Sequence, residues 1–295
     1  MRAGLVGTGD WARMVHLAGM QESKGVTPTA VWGRDPAKVA ALAGEGGLVG
    51  CTELDDFLEH VDVISFAVPP HVQAPIAVRA AKAGKHLLLE KPIAVDVETA
   101  RELEAAVHEA GAASAVFVTA CYTDERRAWV AQVRAAGPRL GATGRFLASA
   151  LVGDNMFNTP WRHDKGALWD IGPHILAGLD EAVGPVAEVA SAVRGEADLV
   201  HVVLRHEGGA TSAFSATLSA DPAIAGADLT VWTATQRFEL PKTTTHPATA
   251  YAIAMGELLA CAASGTAHQY DVTYGRRAVE LLAQAERLAD GPLPS

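Results

Sequence analysis

The feature that most constrains this fold is the alternation of short apolar runs with helix-forming segments over the first 118 residues. Residues 62–68 form one such run, apolar almost throughout, as is typical of a strand buried on both faces of a parallel sheet. Parallel neighbours need a crossover connection, which a helix can supply. The alternation therefore predicts a doubly wound α/β sheet for residues 1–119.

The pattern changes in the rest of the chain. Strand-like runs dominate residues 186–240, and the pair Gly208-Gly209 between two of them indicates a hairpin. The other elements predicted here are a helix beyond residue 123, a strand near 144–152 and helices near 173–183, 247–263 and 273–289. We therefore expect a second, α+β domain over residues 120–295, with an open and mostly antiparallel sheet.

Length and composition support two packed domains. At 295 residues the chain is longer than one hydrophobic core usually spans. Hydrophobic residues make up 49% and charged residues 20%, which is ample material for cores and too little charge for a disordered chain. The formal charge of -10 disfavours a nucleic-acid partner, because such proteins concentrate Lys and Arg to displace phosphate counterions.

A glycine pattern follows the first predicted strand. Gly7, Gly9 and Ala12 match Gly-x-Gly-x-x-(Gly or Ala), whose members permit a tight turn, the approach of a pyrophosphate and close helix packing, in that order. The phosphates then lie at a helix N-terminus. The pattern predicts a dinucleotide-binding Rossmann domain, with contacts from Gly7, Thr8, Gly9, Asp10, Trp11 and Ala12.

The end of the second predicted strand indicates which dinucleotide is bound. An Asp or Glu there would bind the ribose 2′-hydroxyl of NAD, whereas an arginine can bind the 2′-phosphate of NADP. The chain has Trp32-Gly33-Arg34, so NADP is favoured and NAD stays possible. Two alternatives stay open: Arg34 is a solvated surface residue, or a different loop path presents Asp35 instead.

Lys91 follows a predicted strand that ends at the carboxyl edge of the same sheet, where open α/β folds bind their ligands. A lysine at the nicotinamide end can hydrogen-bond a substrate hydroxyl and stabilise negative charge that develops on oxygen during hydride transfer. A surface ion pair before a turn is the alternative interpretation.

A third candidate group comes from the second domain, in the segment 166–174. Pro173 can occupy the first turn of a helix, which would place His174 where the helix dipole stabilises the neutral, proton-accepting imidazole. Such a ring suits a general base near neutral pH, and Asp170 could fix its tautomer. A hydrogen-bonded structural histidine is the alternative.

Together these residues resemble the Gfo/Idh/MocA oxidoreductase family, and the resemblance covers essentially the whole chain. It rests on an ordered set of motifs, which in chain order are Gly7-Thr8-Gly9-Asp10-Trp11-Ala12, Val68-Pro69-Pro70, Ala83-Gly84-Lys85-His86 leading into Glu90-Lys91-Pro92, Trp161-Arg162, the run 166–174 and Tyr274-Gly275-Arg276-Arg277. The resemblance implies a Rossmann domain paired with an α/β domain on an open, mostly antiparallel sheet.

The resemblance also implies roles for individual residues. Lys91 corresponds to the family's catalytic lysine, Asp170 to the acid that orients the substrate and His174 to the general acid/base. The other residues that it places around the cofactor or the substrate are Val68, Pro69, Glu90, Trp161 and Arg162. No metal site is implied.

Two positions depart from the family pattern. Many members have a histidine where this chain has Gln73, and His71 lies two residues earlier, so different contacts to the cofactor loop are expected. Many also have an aspartate three residues beyond the catalytic histidine, where this chain has Ala177, which weakens the expected grip on a substrate hydroxyl. The chain is also short for the family, which predicts trimmed loops over the substrate pocket.

The leading hypothesis is an NAD(P)-dependent oxidoreductase, with NADP preferred, acting on a secondary alcohol or ketone of a sugar, cyclitol or derivative. In the oxidative direction, His174 would remove the hydroxyl proton while a hydride passes to the nicotinamide, with Lys91 and Asp170 holding the oxygen. Two alternatives stay open: a non-catalytic NADP-sensing binding protein of the same fold, and a reductase of a C=C or C=N bond in a non-sugar substrate.

The expected partners are a small-molecule substrate and further copies of the chain, with no nucleic acid and no membrane. Family members commonly associate through the open sheet face of the second domain, which a monomer would leave as a large apolar surface, so we expect a homodimer or homotetramer. The three cysteines are far apart and the N-terminus leaves no room for a signal peptide, which favours a cytoplasmic protein.

Overall fold

The computed structural model describes residues 1–291, which form two compact units. Unit 1 contains Met1–Tyr122 and Thr245–Val279, and unit 2 contains Thr123–Thr244 together with the residues from Glu280 onward. The predicted division at residue 119 differs from this arrangement, because it assigns residues 245–279 to the second domain.

Unit 1 is built on a six-stranded parallel sheet in the order β3-β2-β1-β4-β5-β6. Its strands are β1 (Arg2–Val6), β2 (Thr27–Trp32), β3 (Val49–Cys51), β4 (Val63–Phe66), β5 (His86–Glu90) and β6 (Ser114–Phe117). The strand order reverses between β1 and β4, which opens the crevice where such sheets bind ligands. The predicted doubly wound sheet is confirmed.

Helices connect these strands and continue into unit 2. In chain order they are a π-helical segment (Ala12–Leu17), α1 (Ala18–Glu22), α2 (Pro36–Gly46), α3 (Leu54–Glu59), α4 (Pro70–Lys82), α5 (Val97–Ala110), a 3-10 helix (Thr119–Tyr122), α6 (Asp124–Ala135), α7 (Pro160–Asp170), α8 (Gly172–Ala182), α9 (Pro247–Ser264) and α10 (Val272–Asp290).

Helix α9 packs on unit 1 because a small residue lets it come close. A Cβ on Gly19 of α1 would lie 2.6 Å from the carbonyl oxygen of Ala248. The ring of Tyr251 is fully buried, with its centroid 5.1 Å from that of His16 and 5.6 Å from that of Phe117. Sequence periodicity shows that a helix has an apolar face but not which sheet that face covers, which explains the difference in the domain boundary.

Unit 2 contains the second sheet, in the order β12-β11-β7-β10-β9-β8. Its strands are β7 (Gly141–Leu147), β8 (Val186–Arg194), β9 (Val200–His206), β10 (Thr211–Thr217), β11 (Gly226–Trp232) and β12 (Arg237–Glu239). Only β7 and β10 pair in parallel among these described strands, and β9 and β10 form the hairpin predicted around Gly208-Gly209. The mostly antiparallel sheet is confirmed, although the strand predicted at 144–152 ends at Leu147.

The two faces of the second sheet differ in character. Helix α8 covers one face, and Ile175 lies so close to β7 that a Cβ on Gly144 would be 2.8 Å from its Cγ2 atom. The other face carries ion pairs between neighbouring strands together with exposed valines. They are Arg145–Asp228, Arg205–Glu188, Val193 and Val203. This face is therefore mixed in polarity, where a large apolar surface was expected.

Within residues 1–291, no helix combines the length and the hydrophobicity needed to cross a membrane.

Candidate active site

The glycine turn after β1 is closed at one position and open at another. Gly7 has a φ of +128°, and a Cβ there would lie 2.5 Å from the carbonyl oxygen of Ala67. At Gly9, by contrast, nothing lies within 4 Å of the position that a Cβ would take. The backbone at Gly9 is therefore open to a ligand, while the fully buried Ala12 lets the following helix pack on the sheet. These features fit a dinucleotide pyrophosphate.

Two other residues of this turn have clear surroundings. The methyl group of Thr8 lies against the end of β2, where a Cβ on Gly33 would be 2.8 Å from it. Asp10 is exposed, and its Oδ1 atom lies 3.5 Å from a guanidinium nitrogen of Arg13. Neither side chain blocks the open position at Gly9.

The end of β2 leaves Arg34 exposed and uses Asp35 to begin a helix. The Oδ1 atom of Asp35 accepts hydrogen bonds from the backbone N–H groups of Ala37 at 2.9 Å and Lys38 at 3.2 Å, which caps α2. One oxygen of that carboxylate is thus committed to the helix. The neighbouring Arg34 side chain is exposed.

At the end of β5, Glu90 is the centre of a hydrogen-bonded group that we call the Glu90 cluster. Its Oε1 atom accepts a hydrogen bond from Trp11 Nε1 at 2.7 Å and lies 3.1 Å from His16 Nε2, while its Oε2 atom accepts the backbone N–H of Lys91 at 3.1 Å. His16 is fully buried, and its Nδ1 atom lies 2.8 Å from Ser65 Oγ on β4. The cluster links the helix after the glycine turn to the candidate lysine.

Gln73 supports the same turn from α4. Its Oε1 atom accepts the backbone N–H of Glu90 at 2.8 Å, and its Nε2 atom lies 2.8 Å from the carbonyl oxygen of Glu90 and 3.3 Å from those of Pro92 and Ile93. The side chain is fully buried, whereas His71 is exposed. Gln73, which stands where many family members have a histidine, therefore uses its amide to hold the backbone of the turn after β5.

The other candidates of unit 1 lie at the same edge of the sheet. Val68 and Pro69 are half-buried between β4 and α4, and Val68 Cγ1 would be 3.2 Å from a Cβ on Gly7. Lys91 is half-buried directly after β5, and the Lys91–Pro92 peptide bond is cis. Because β1, β4 and β5 are neighbours, unit 1 brings the glycine turn and the lysine together.

In unit 2, Arg162 and Asp170 form an ion pair inside α7. Arg162 Nε donates to Asp170 Oδ2 at 2.7 Å, and the two side chains are only 16% and 6% exposed. The guanidinium also lies over the rings of Trp161 and Phe157, 5.3 and 5.4 Å from their centroids. The arrangement fixes both Arg162 and the candidate orienting acid.

His174 lies in the first turn of α8, with Pro173 at the start of that helix as predicted. The imidazole is half-buried, and its centroid lies 6.0 Å from that of Phe146 on β7. Ala177, one turn further along α8, is fully buried. Position 177, where many family members have an aspartate, therefore lies in the interior of the protein.

Asp198, which the sequence did not single out, holds the last turn of α7. That helix is interrupted at Gly166, which has φ 64° and ψ -168°. Asp198 Oδ2 accepts the backbone N–H groups of Ala167 at 3.1 Å and Leu218 at 2.8 Å, and Oδ1 accepts the hydroxyl of Thr217 at 2.7 Å. The carboxylate thus caps the turn that restarts after Gly166.

Two further features of unit 1 lie apart from this chemistry. Within residues 1–291, the metal-ligating side chains that could share one ion are Cys51, Asp56 and His60. Burial raises the pKa of the Cys51 thiol to about 11, with a smaller contribution from Asp56, so its sulfur is protonated at neutral pH. A cleft of about 390 Å³, lined by Ser114, Cys261 and other residues, lies at the amino edge of the sheet, opposite the glycine turn.

Sequence reasoning missed His16, Ser65 and Asp198. Ser65 carried a signal, because it is a hydroxyl residue inside an apolar run predicted to be buried on both faces, and a buried hydroxyl needs a partner. His16 and Asp198 carried none, since their contacts come from elements far away in the sequence.

Comparisons with known proteins agree with this geometry. Residues 1–118 match the family model GFO_IDH_MocA, an oxidoreductase family with an NAD-binding Rossmann fold. An uncharacterized protein of Saccharomyces cerevisiae is 29% identical over 208 residues, 66% of this chain and 58% of that protein. The dTDP-3,4-didehydro-2,6-dideoxy-alpha-D-glucose 3-reductase of Streptomyces violaceoruber is 37% identical over 109 residues, 36% of this chain and 32% of the reductase. The chain thus spans less than two thirds of these relatives.

Solved structures share the fold over nearly the whole chain. GenD2 from gentamicin A biosynthesis, in complex with NAD, has a TM-score of 0.85 at 21% identity and covers 99% of this chain and 95% of its own. Levoglucosan dehydrogenase, in complex with NADH and L-sorbose, has a TM-score of 0.83 at 19% identity, with coverages of 98% and 97%. At these identities the likeness shows the fold, and it confirms the predicted combination of a Rossmann sheet with a mostly antiparallel one.

Proposed function

We propose that this chain, which belongs to the Gfo/Idh/MocA oxidoreductase family, transfers a hydride between a nicotinamide cofactor, preferably NADP(H), and a secondary alcohol or ketone. The substrate class is a sugar, a cyclitol or a derivative of one. The observation that carries the proposal is the Glu90 cluster, which fixes the backbone of Lys91 at the sheet edge where Gly9 is open to a pyrophosphate. The names of a sugar-nucleotide reductase and a levoglucosan dehydrogenase among the similar proteins support the substrate class.

Each candidate residue has a separate role in the proposed hydride transfer. When bound, the nicotinamide accepts or donates the hydride. The Lys91 ammonium donates a hydrogen bond to the substrate oxygen and stabilises the negative charge that develops there. His174 takes the hydroxyl proton in the oxidative direction and returns it in reduction. Asp170, held by Arg162, orients the reacting oxygen.

The preference for NADP rests on the end of β2. Asp35 gives one carboxylate oxygen to the cap of α2, while the Arg34 guanidinium is exposed and can meet a 2′-phosphate. A hydrogen bond to a charged group contributes about 1.5–3 kcal/mol. Arg34→Ala should therefore lower the ratio of NADPH to NADH affinity by roughly tenfold to a hundredfold. Arg101→Ala, at an exposed position on α5, is the control, and an unchanged ratio in Arg34→Ala would contradict the preference.

The reaction itself is tested by following NADPH and NADH consumption with panels of keto-sugars, cyclitol ketones, cyclic enones and imines. Lys91→Ala should reduce turnover on the accepted substrate by about 10² to 10³. Its NADPH affinity, measured by cofactor fluorescence, should change far less, and Lys38→Ala at an exposed position should leave both unchanged. If no substrate in any panel causes cofactor consumption while NADPH binds tightly, the result would instead support a cofactor sensor. Turnover of enones or imines alone would overturn the alcohol–ketone assignment.

We also propose a homodimer or homotetramer that functions in the cytoplasm. The three cysteines are free thiols, which suits a reducing compartment. Association would use the mixed face of the second sheet, where Arg205 pairs with Glu188 and Val203 is exposed. Light scattering on the protein and on Val203→Glu tests this, and a monomer at micromolar concentration would contradict it.

A further inference from the structure

We infer that His16 is a positioning residue, which acts through Glu90 to hold Lys91 in register with the helix after the glycine turn. The inference rests on the proposed function, because it concerns the lysine to which that function assigns the chemistry. Nothing in the sequence motifs gives His16 this role.

The first step is that both ring nitrogens of His16 are used. Nε2 lies 3.1 Å from the Oε1 atom of Glu90, and Nδ1 lies 2.8 Å from Ser65 Oγ, both within hydrogen-bonding distance. A chain of hydrogen bonds therefore runs from β4 through the imidazole to the end of β5.

The second step is that the imidazole is held rigidly. Ser65 and His16 are fully buried, and aromatic rings enclose the imidazole with centroid distances of 5.1 Å for Tyr251, 5.7 Å for Phe117 and 6.4 Å for Trp11. Burial raises the pKa of the Tyr251 hydroxyl, so Tyr251 adds no charge beside the ring. Glu90 is the charged group that faces His16 in this cluster.

The third step concerns how Glu90 divides its two oxygens. Oε1 serves Trp11 and His16, which leaves Oε2 for the backbone N–H of Lys91. Without the imidazole, the largely buried carboxylate loses one of the two partners of Oε1 and is held less firmly about its last bond. A displacement of about 1 Å in a reacting group can cost around a hundredfold in rate. The expected consequence is a misplaced Lys91 in a folded protein.

A matched pair of variants separates this role from simple packing. In His16→Gln the side-chain amide can place an N–H where Nε2 lies, and so keeps the contact with Glu90. In His16→Asn the shorter amide reaches only the position of Nδ1, beside Ser65, and the contact with Glu90 is lost. Both variants introduce an amide at the same buried position, so a purely structural role predicts similar thermal stability and similar activity for the two.

Two measurements are made on each variant. His16→Asn should lower kcat by about tenfold to a hundredfold with a much smaller change in the KM for cofactor, and His16→Gln should stay far closer to the unsubstituted protein. The rate of Lys91 acylation, measured by mass spectrometry against Lys38 in the same sample, should change in His16→Asn and not in His16→Gln. Equal behaviour of the two variants in both measurements would overturn the inference.

The acylation measurement does not depend on the proposed reaction. If no substrate is turned over, the proposed function fails while Lys91 acylation still tests the role of His16. If His16→Asn does not fold, Ser65→Ala replaces it, because loss of the hydroxyl removes the hydrogen bond that holds the Nδ1 side of the imidazole. A shift in Lys91 acylation in Ser65→Ala supports the inference, and an unchanged rate overturns it.

Discussion

The two groups of candidate residues, one in each unit, hold their carboxylates in different ways. In unit 1, Glu90 contacts an indole and an imidazole from the helical segment after the glycine turn and the backbone N–H of Lys91. In unit 2, Asp170 forms a largely buried ion pair with Arg162, whose Nε donates to it at 2.7 Å. Removing one partner of a buried ion pair costs more stability than removing one neutral hydrogen-bond partner. Removing a side chain that contacts the carboxylate should therefore lower the unfolding free energy more in unit 2 than in unit 1.

The strongest test of this comparison is Arg162→Ala. It removes the guanidinium that pairs with the largely buried carboxylate of Asp170, and we expect the free energy of unfolding to fall by about 3–5 kcal/mol in urea denaturation. Arg145→Ala is the control, because its pair with Asp228 is about half exposed and should contribute at most about 1 kcal/mol. Equal losses in the two variants would contradict the comparison.

A smaller loss is expected when the neutral support in unit 1 is removed. Gln73→Ala leaves the buried N–H of Glu90 and nearby carbonyl oxygens without their amide partner, which should lower the unfolding free energy by about 2–3 kcal/mol. Gln73→His, which introduces the residue that many family members have, should lose less. Gln132→Ala at an exposed position on α6 is the control, and a loss in Gln73→Ala larger than that in Arg162→Ala would reverse the comparison.

The cap of α7 gives the next effect. Asp198→Ala removes the acceptor for the N–H groups of Ala167 and Leu218 and should destabilise unit 2 by about 1–2 kcal/mol. Asp198→Asn keeps an oxygen at the position of Oδ2 and lets the Thr217 hydroxyl accept instead of donate, so it should lose much less. Urea denaturation of both variants measures these losses. Equal losses of unfolding free energy in Asp198→Asn and Asp198→Ala would contradict the capping role.

The smallest effect is a pH dependence at the start of β5. Burial lowers the pKa of His86 below its usual 6.5, with a weaker opposing effect of Asp62, and its Nδ1 atom accepts the N–H of Ala113 at 3.0 Å. The unfolded chain therefore binds a proton at a higher pH than the folded one. This contribution is complete above about pH 6.5 and is lost as the pH falls below that value. His86→Asn, which keeps an acceptor, should have a flatter stability profile between about pH 5 and 7, and an unchanged slope would exclude His86 as its source.

The sequence predicted the first sheet well because its signals are local. Apolar strands and the glycine turn each act through neighbours in the chain, and the structure has both. Strand β3 was not located, because it has three residues and only Cys51 is buried. The place of α9 was missed for a different reason, since its contacts with α1 join residues that are far apart in sequence.

The candidate site shows the same limit. Motif and strand order indicated Lys91 and the turn at Gly9, and the roles of Lys91, Asp170 and His174 stay predictions. The partners of Glu90 and the cap formed by Asp198 arise from contacts across three or more elements. A sequence pattern of fixed spacing cannot describe such contacts.

The place of α9 in unit 1 has a consequence for synthesis on the ribosome. When residue 122 has been translated, every strand of the first sheet exists, but the helix that buries Tyr251 against His16 and Phe117 does not. The intervening segment, residues 123–244, must emerge before that helix does. Unit 1 can therefore be completed only after α9 has emerged, and until then its nascent form leaves His16 and Phe117 without the ring that covers them.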